Sequence, residues 1–510
     1  MAGILKKCFQ SHFKDKLWII PYLKTQGNKF CTCLPEYQRY FGQPSAQTHP
    51  HIISKEEEVT PAITKEEYAQ RRNTLMSNLS KYGINKDSSN ILIIPSAEKQ
   101  YMTHDIPYPF RQNTEFLYLC GFQEPDSALV IFNEGKTSSH KSVLFVPKRD
   151  PNSELWDGPR SGIDGAIALT GIDEAYNMSE LELFLNKYLT HSNKFTLWYD
   201  TQRTPVPNVH NSTISEFIKQ KKHCSIENPK RLLHMQRLLK SPAEIELMRH
   251  TTEVASQAFI DVMAFSHPGV NEAHLYAKME VECRMRGADF LAYPPVVAGG
   301  NRANTIHYIA NNQLIDGTEM VLMDAGCELH GYTSDITRTW PVSGTFTDAQ
   351  REVYEAVLEV QLACIKLCKV GCKLDDMFRA MVHMIGKQLI RLGIVPESTS
   401  DSEIYKLARD ICPHHVSHYL GMDVHDTPSV SRSLAIQPGT IITVEPGMYF
   451  PKDNTKIPER FRGIGIRIED DVLITEEGPD VLTHNCPKTI GAIEHVMKYQ
   501  KRVTWSKEGY

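Results

Sequence analysis

The chain of 510 residues carries 56 basic and 61 acidic side chains, a formal net charge of −5, with 41% hydrophobic and 23% charged residues. At roughly 100–200 residues per domain that length makes two or three domains with sizeable cores, and the composition excludes a globally disordered chain. No apolar run reaches the roughly 18 residues that cross a bilayer, and the near-neutral balance argues against nucleic acid as the main partner.

Residues 1–35 hold six lysines (6, 7, 14, 16, 24, 29) against one acid, Asp15, among apolar and aromatic residues. The balance matches a mitochondrial presequence, cationic and poor in acids, although such segments favour arginine and the first here is Arg39. Import to the matrix is therefore expected ahead of a plain basic tail, and residues 1–54 are assigned to presequence and linker. A loop-like stretch rich in Pro, Gln and His follows, and regular patterning begins near Lys65. NILIIP at 90–95, ALVIF at 128–132 and SVLFVP at 142–147 read as short buried strands between amphipathic helical segments. An α/β domain over 55–235 is expected, with no Gly-rich phosphate loop after any strand. Its boundary falls in the basic segment around Lys230 and Arg231.

The second half, 236–510, opens at Ser241-Pro242-Ala243-Glu244, a capping box with proline at the first helical position. Thr347-Asp348-Ala349-Gln350 repeats the signature before a stripe of Val353, Val357, Val360 and Cys364. Cys364, Cys368 and Cys372 are read as that stripe and its continuation, not as metal ligands. The twelve cysteines form no C-x-x-C pair and are expected as free thiols in a reducing compartment. Strands are expected at 320–325, 333–340, 440–445 and 463–475.

These strands carry acids. In VLMDAGCELHGYTSDITRTW a hairpin turning at Leu329–His330 would make Asp324 and Asp335 directly opposed partners on one face. Two carboxylates so placed repel unless a cation sits between them; the alternative is a solvent-facing pair on a polar sheet face. PHHVSHYLGMDVHD packs His414, His415, His418 and His425 into one stretch. Imidazole is the commonest transition-metal ligand, and His414 and His418 would share a helical face, with His415 out of phase. Glu445 ends an apolar strand in IITVEPGMY, and alternation in RGIGIRIEDD puts Arg467 and Glu469 on one face. Either acid alone could form a structural ion pair. GIGIRI lacks the third glycine and following helix of a dinucleotide fingerprint. Together Asp324, Asp335, His418, Glu445 and Glu469 form an oxygen-rich set that suits Mn²⁺, Co²⁺, Fe²⁺ or Mg²⁺ better than a closed structural zinc. Four acids carry charge enough for two divalent ions roughly 3.5–4 Å apart, which lower the pKa of a water held between them. Metal-assisted hydrolysis is the implied reaction.

The ordered set, with its contexts MDAG, SDITRTWPV, SHYLGMDVHD, TVEPGMY and RGIGIRIEDD, resembles the Xaa-Pro aminopeptidase (aminopeptidase P) branch of the pita-bread metallopeptidases. YPFRQNTEFLYLCGFQEPDSALVIF is similar to that branch's N-terminal domain, and RYFGQPSAQTHPH and LWDGPRSG most resemble its vertebrate type with mitochondrial and cytosolic forms. The resemblance covers roughly residues 39–500 and implies a two-domain α+β and α/β protein, a creatinase-like α/β domain followed by a pita-bread catalytic domain. It implies two divalent ions per subunit, Mn²⁺ being the usual activator. Asp335 and Glu469 would bridge them, Asp324 completing one, and His418 with Glu445 the other. Glu445 would move the proton of the attacking water. His307 would stand beside the leaving group and His425 near the scissile carbonyl, while Tyr293, His414 and Arg467 would shape the substrate site. A homodimer acting on peptides with an Xaa-Pro N-terminus is implied, with no nucleic-acid or membrane partner. The rival readings are a prolidase on the same five ligands, a methionine aminopeptidase, which would not need the N-terminal domain, and a scaffold protein of the same fold.

Overall fold

The computed structural model describes residues 41–82, 89–133, 139–191, 195–202, 209–220 and 224–499. The cationic segment, with Cys8, Cys31 and Cys33, lies outside the described residues.

Helix α1 (Lys65–Tyr82) buries Tyr68, Leu75, Met76 and Leu79, a stripe at helical spacing. It packs beside α2 (Thr114–Cys120), whose N-cap Asn113 accepts from the Phe116 N–H. Six strands form one sheet: β1 (Ser89–Pro95), β2 (Ala128–Phe132), β3 (Lys141–Val146), β4 (Glu174–Asn177), β5 (Phe195–Trp198) and β6 (Ser225–Glu227). Their order is β4-β3-β2-β1-β5-β6, with β1, β2 and β3 antiparallel to their neighbours among themselves and β4, β5 and β6 joined in parallel. The three apolar runs expected as strands are β1, β2 and β3, buried on both faces. Ile91, Ile93, Val130 and Phe145 fill one face; Leu92, Leu129, Ile131 and Leu144 fill the other.

The basic segment around Lys230 is a helix, α3 (Lys230–Leu238), and it leads at once into α4 (Pro242–Phe265). Ser241 and Glu244 close the capping box reciprocally, at 3.2 and 2.8 Å. Then come α5 (Glu272–Met285), β7 (Phe290–Leu291), β8 (Val296–Gly299), β9 (Met320–Ala325), β10 (Cys327–Leu329), β11 (Tyr332–Thr333) and β12 (Ile336–Pro341). Helices α6 (Asp348–Leu367), α7 (Leu374–Arg391) and α8 (Asp401–Ile411) follow. The chain ends in β13 (Ile441–Val444), β14 (Gly447–Phe450), β15 (Ile464–Arg467), β16 (Asp470–Thr475), β17 (Gly478–Val481) and α9 (Ile490–Tyr499). Small antiparallel sheets, β8-β9-β12, β7-β10-β11, β13-β16-β17 and β14-β15, are backed by α4 to α7 around one apolar core. Val353, Val357, Val360 and Cys364 are buried there, and the described cysteines are free. A second apolar cluster joins the halves, packing Leu92, Phe116 and Leu119 with Leu247, Met248, Leu420 and Leu473.

Two expected strands are interrupted. The run expected at 333–340 breaks between β11 and β12, and that at 463–475 breaks between β15 and β16. At both breaks the backbone bonds leave the ladder: the Asp335 N–H donates to Asp471 Oδ2 at 3.1 Å, and the Glu469 N–H donates to the Thr337 carbonyl at 3.1 Å. The breaks aim Asp335 and Glu469 toward each other. The register also differs from a turn at Leu329–His330. Leu329 pairs with Tyr332, so the turn is His330-Gly331, both left-handed at φ 54° and 84°. Two positive φ values match the twist of a tight hairpin, which a turn one residue earlier would lack. Asp324 consequently opposes Thr337, and not Asp335.

Candidate metal centre

Each candidate is delivered by a different element. Asp324 lies on β9, Asp335 just before β12, Glu445 after β13 and Glu469 between β15 and β16. The histidine-rich segment is not helical, correcting the expectation that His414 and His418 share a helix face. Helix α8 stops at Ile411, ahead of Pro413, and 416–420 runs beside β13. The Thr443 N–H donates to the His418 carbonyl at 3.0 Å and the Glu445 N–H to the Val416 carbonyl at 2.9 Å. Pairing, not helical periodicity, brings His418 beside Glu445.

One ligand atom each from Asp335, His418 and Glu469 lie within 4.8 Å of one another. His418 Nε2 stands 3.3 Å from Asp335 Oδ2 and 3.7 Å from Glu445 Oε1, while its Nδ1–H donates to the Tyr419 carbonyl at 3.1 Å. That second contact fixes the ring with Nε2 facing the acids. Asp324 is joined to Asp335 through Tyr293, whose hydroxyl is 2.5 Å from Asp324 Oδ1 and also contacts Asp335 Oδ1. The phenol has one proton for two carboxylates.

Electrostatics describe a site short of positive charge. Burial, then Asp335 and the other acids, hold Glu469 well above the usual carboxylate range. Burial pushes Glu445 up to about 7 and raises Asp335, although His418 pulls each back. Burial draws His418 down, but Asp335 and Glu445 outweigh it and lift it to about 9. Acids crowded until they retain protons, around an imidazole aimed inward, are a donor set that fits divalent cations.

Arg467 is fully buried, donates from Nη1 to the Tyr449 hydroxyl at 2.8 Å and from Nε to Thr337 Oγ1 at 3.0 Å, and pairs through Nη2 with Asp324. His414 Nε2 is 2.9 Å from the same Tyr449 hydroxyl and its Nδ1 is 3.7 Å from Glu445 Oε2. His425 stands edge-on to His418 with ring centroids 4.6 Å apart; His307 is exposed and close enough to lower the pKa of His425, behind burial and His418. His415 faces elsewhere, stacked on Phe378 at 4.8 Å.

Three further residues take part in the site, although the ligand pattern of the sequence does not mark them. Thr337 donates to Glu469 Oε2 at 2.6 Å while accepting from Arg467. Tyr449 links His414 to Arg467, and Asp471 accepts the Asp335 N–H. Asp335, Thr337 and Thr339 alternate along DITRT, so period-2 reading of that strand was the available signal for Thr337.

Residues 246–476 match the model of metallopeptidase family M24, and 68–198 match the aminopeptidase P N-terminal domain. Human Xaa-Pro aminopeptidase 3 is 52% identical over 463 residues, 90% of each chain. The mitochondrial intermediate cleaving peptidase 55 of Arabidopsis thaliana is 39% identical over 459 residues, 90% of this chain and 88% of its own. Among solved structures, zinc-substituted aminopeptidase P from Escherichia coli in complex with product superposes with a TM-score of 0.79 at 33% identity, covering 87% of this chain and 100% of that one.

Proposed function

Because the chain belongs to the M24 metallopeptidases, in their aminopeptidase P branch, we propose that it releases the amino-terminal residue from peptides with proline in second position. The observation that carries this reading is the convergence of Asp335, His418 and Glu469, with the exposed His425 edge-on to His418. Asp324, Asp335, His418, Glu445 and Glu469 would hold two divalent ions, and manganese suits this hard, carboxylate-rich set. Such ions supply an activated water and polarise the scissile carbonyl. Glu445, its pKa raised by burial, takes a proton from the attacking water and returns it to the leaving proline nitrogen. His425 meets the substrate near the carbonyl and His307 beside the leaving group. Tyr293, His414 and Arg467 shape the substrate site, Arg467 anchored by Tyr449 and Thr337. A bond before proline is a tertiary amide without an N–H, and a site that grips carbonyl and ring does not need that donor.

Residues 55–235 and 236–510 serve as the two domains. The homodimer expected of this branch has a surface to form on. Tyr101, Met102, Ile106 and Tyr108 are exposed beside Leu155 and Trp156, the two segments tied by Lys99 Nζ to Asp157 Oδ1 at 2.7 Å. The lysine-rich leader and the mitochondrial relative support the matrix as the site of action, with a cytoplasmic form if the leader is absent.

Chelated protein supplied with Mn²⁺ is expected to cleave Xaa-Pro-Pro and to leave Xaa-Pro nearly untouched. Cleavage of the dipeptide alone makes it a prolidase. Inertness toward both, with metal bound, returns it to the scaffold reading.

A further inference from the structure

The five ligand positions lie in the carboxyl-terminal half, yet the loop bearing His425 is held from the amino-terminal side. Asp423, two residues before His425, accepts at Oδ1 from Thr114 Oγ1 at 2.7 Å and from Arg111 Nη2 at 3.1 Å. Its Oδ2 accepts from Arg237 Nη2 at 2.9 Å. Asp426, one residue after His425, receives the same Arg237 nitrogen at Oδ1 and faces Lys240 Nζ at 3.3 Å through Oδ2. Arg111 also donates to the Met422 carbonyl at 2.9 Å and to Glu328 at 2.6 Å. Glu115 of α2 holds Arg237 from the far side, Nη1 to Oε1 at 3.3 Å.

His425 itself is exposed, so its place over His418 is set by its neighbours. Both flanking carboxylates are fixed by one guanidinium whose side chain is 2% exposed. A buried ion pair returns little stability over an apolar filling of the same volume, but a planar guanidinium whose Nη2 meets both acids while its Nη1 is held by Glu115 fixes geometry closely. Just beyond, Thr427 is held at φ 48°, a left-handed conformation that a β-branched residue adopts only under constraint. These observations describe a clamp reaching from α2 and α3 to a loop of the metal centre.

We propose that Asp423 and Arg237 are positioning residues for His425, and that Arg111, Thr114 and Glu115, which hold them, let the amino-terminal half set the catalytic geometry within its own chain. The inference rests on His425 contacting the substrate. Asp423→Asn keeps the size of the side chain but removes its charge and turns one acceptor oxygen into an NH2 that faces the clamp's own donors. It is expected to lower kcat about tenfold, since small misplacements of a catalytic group are costly, with KM, bound metal and melting temperature close to the parent's. In a His425→Ala background the same substitution is expected to have no further effect, as for two residues acting through one. Parental kcat in Asp423→Asn, or a loss that adds to that of His425→Ala, would overturn the clamp alone. Parental turnover in His425→Ala would instead overturn the role of His425, and the clamp with it. Should Asp423→Asn not fold, Thr114→Val removes one hydrogen bond from the same carboxylate, and the same cycle decides.

Discussion

Charge governs what the single residues of the site do. Glu469→Gln should abolish hydrolysis and reduce bound metal, because a neutral amide is a poor bridge between cations; assay and metal analysis of one preparation check both. Protons and metal compete for the same atoms. His418 is raised in the fold to about 9 from 6.5, so the stability it adds to the metal-free protein is complete below pH 6.5 and is lost as pH rises through about 9. Metal-free protein is therefore expected to melt at lower temperature as pH rises across that window. Metal binding at neutral pH should expel protons from His418, raised to about 9, and from Glu445, raised to about 7, giving calorimetric heats that depend on the ionisation enthalpy of the buffer. A pH-independent melting curve and buffer-independent heats would contradict the charge balance described. Asp324, Asp335, Glu445 and Glu469 stood out in the sequence because acids at the ends of apolar strands are costly without a reason. Thr337 did not, because a threonine on a strand is ordinary; its role depends on Arg467 and Glu469 arriving from more than a hundred residues away.

At the scale of elements, turns and breaks place the acids. The capping boxes at Ser241 and Thr347 and the three apolar strands were legible because each is a local signal. The hairpin register was not, since moving the turn by one residue shifts the pairing by two and keeps every side chain on its face, and the choice belongs to His330-Gly331. The histidine segment misled for a related reason: spacing by four suggests a helix, while the segment runs alongside β13. Gly326 shows how closely the site depends on backbone. A β-carbon there would fall 1.7 Å from the Ser334 carbonyl oxygen, next to Asp335. Gly326→Ala is expected to displace that segment, lowering activity strongly and the melting temperature with it. Unchanged turnover in that variant would mean that Asp335 is not held by this approach.

For the whole molecule, the two halves share a core. Leu247, Met248, Leu420 and Leu473 of the catalytic half are covered by Leu92, Phe116 and Leu119 of the other, and would face water without it. A fragment of residues 236–510 should therefore be poorly soluble or unfolded, and circular dichroism and light scattering of that fragment check this. The two-domain plan was legible in the change of pattern between the two halves; the shared core was not, because contacts across a boundary leave no periodicity in either segment. The most direct measurement is metal content against activity: chelate the full chain, return Mn²⁺ stepwise, and follow bound ions per chain with release of the first residue from Xaa-Pro-Pro. The account predicts no turnover without metal and full turnover as two ions are bound. Cleavage that survives chelation, or that is complete with no ion bound, would contradict it.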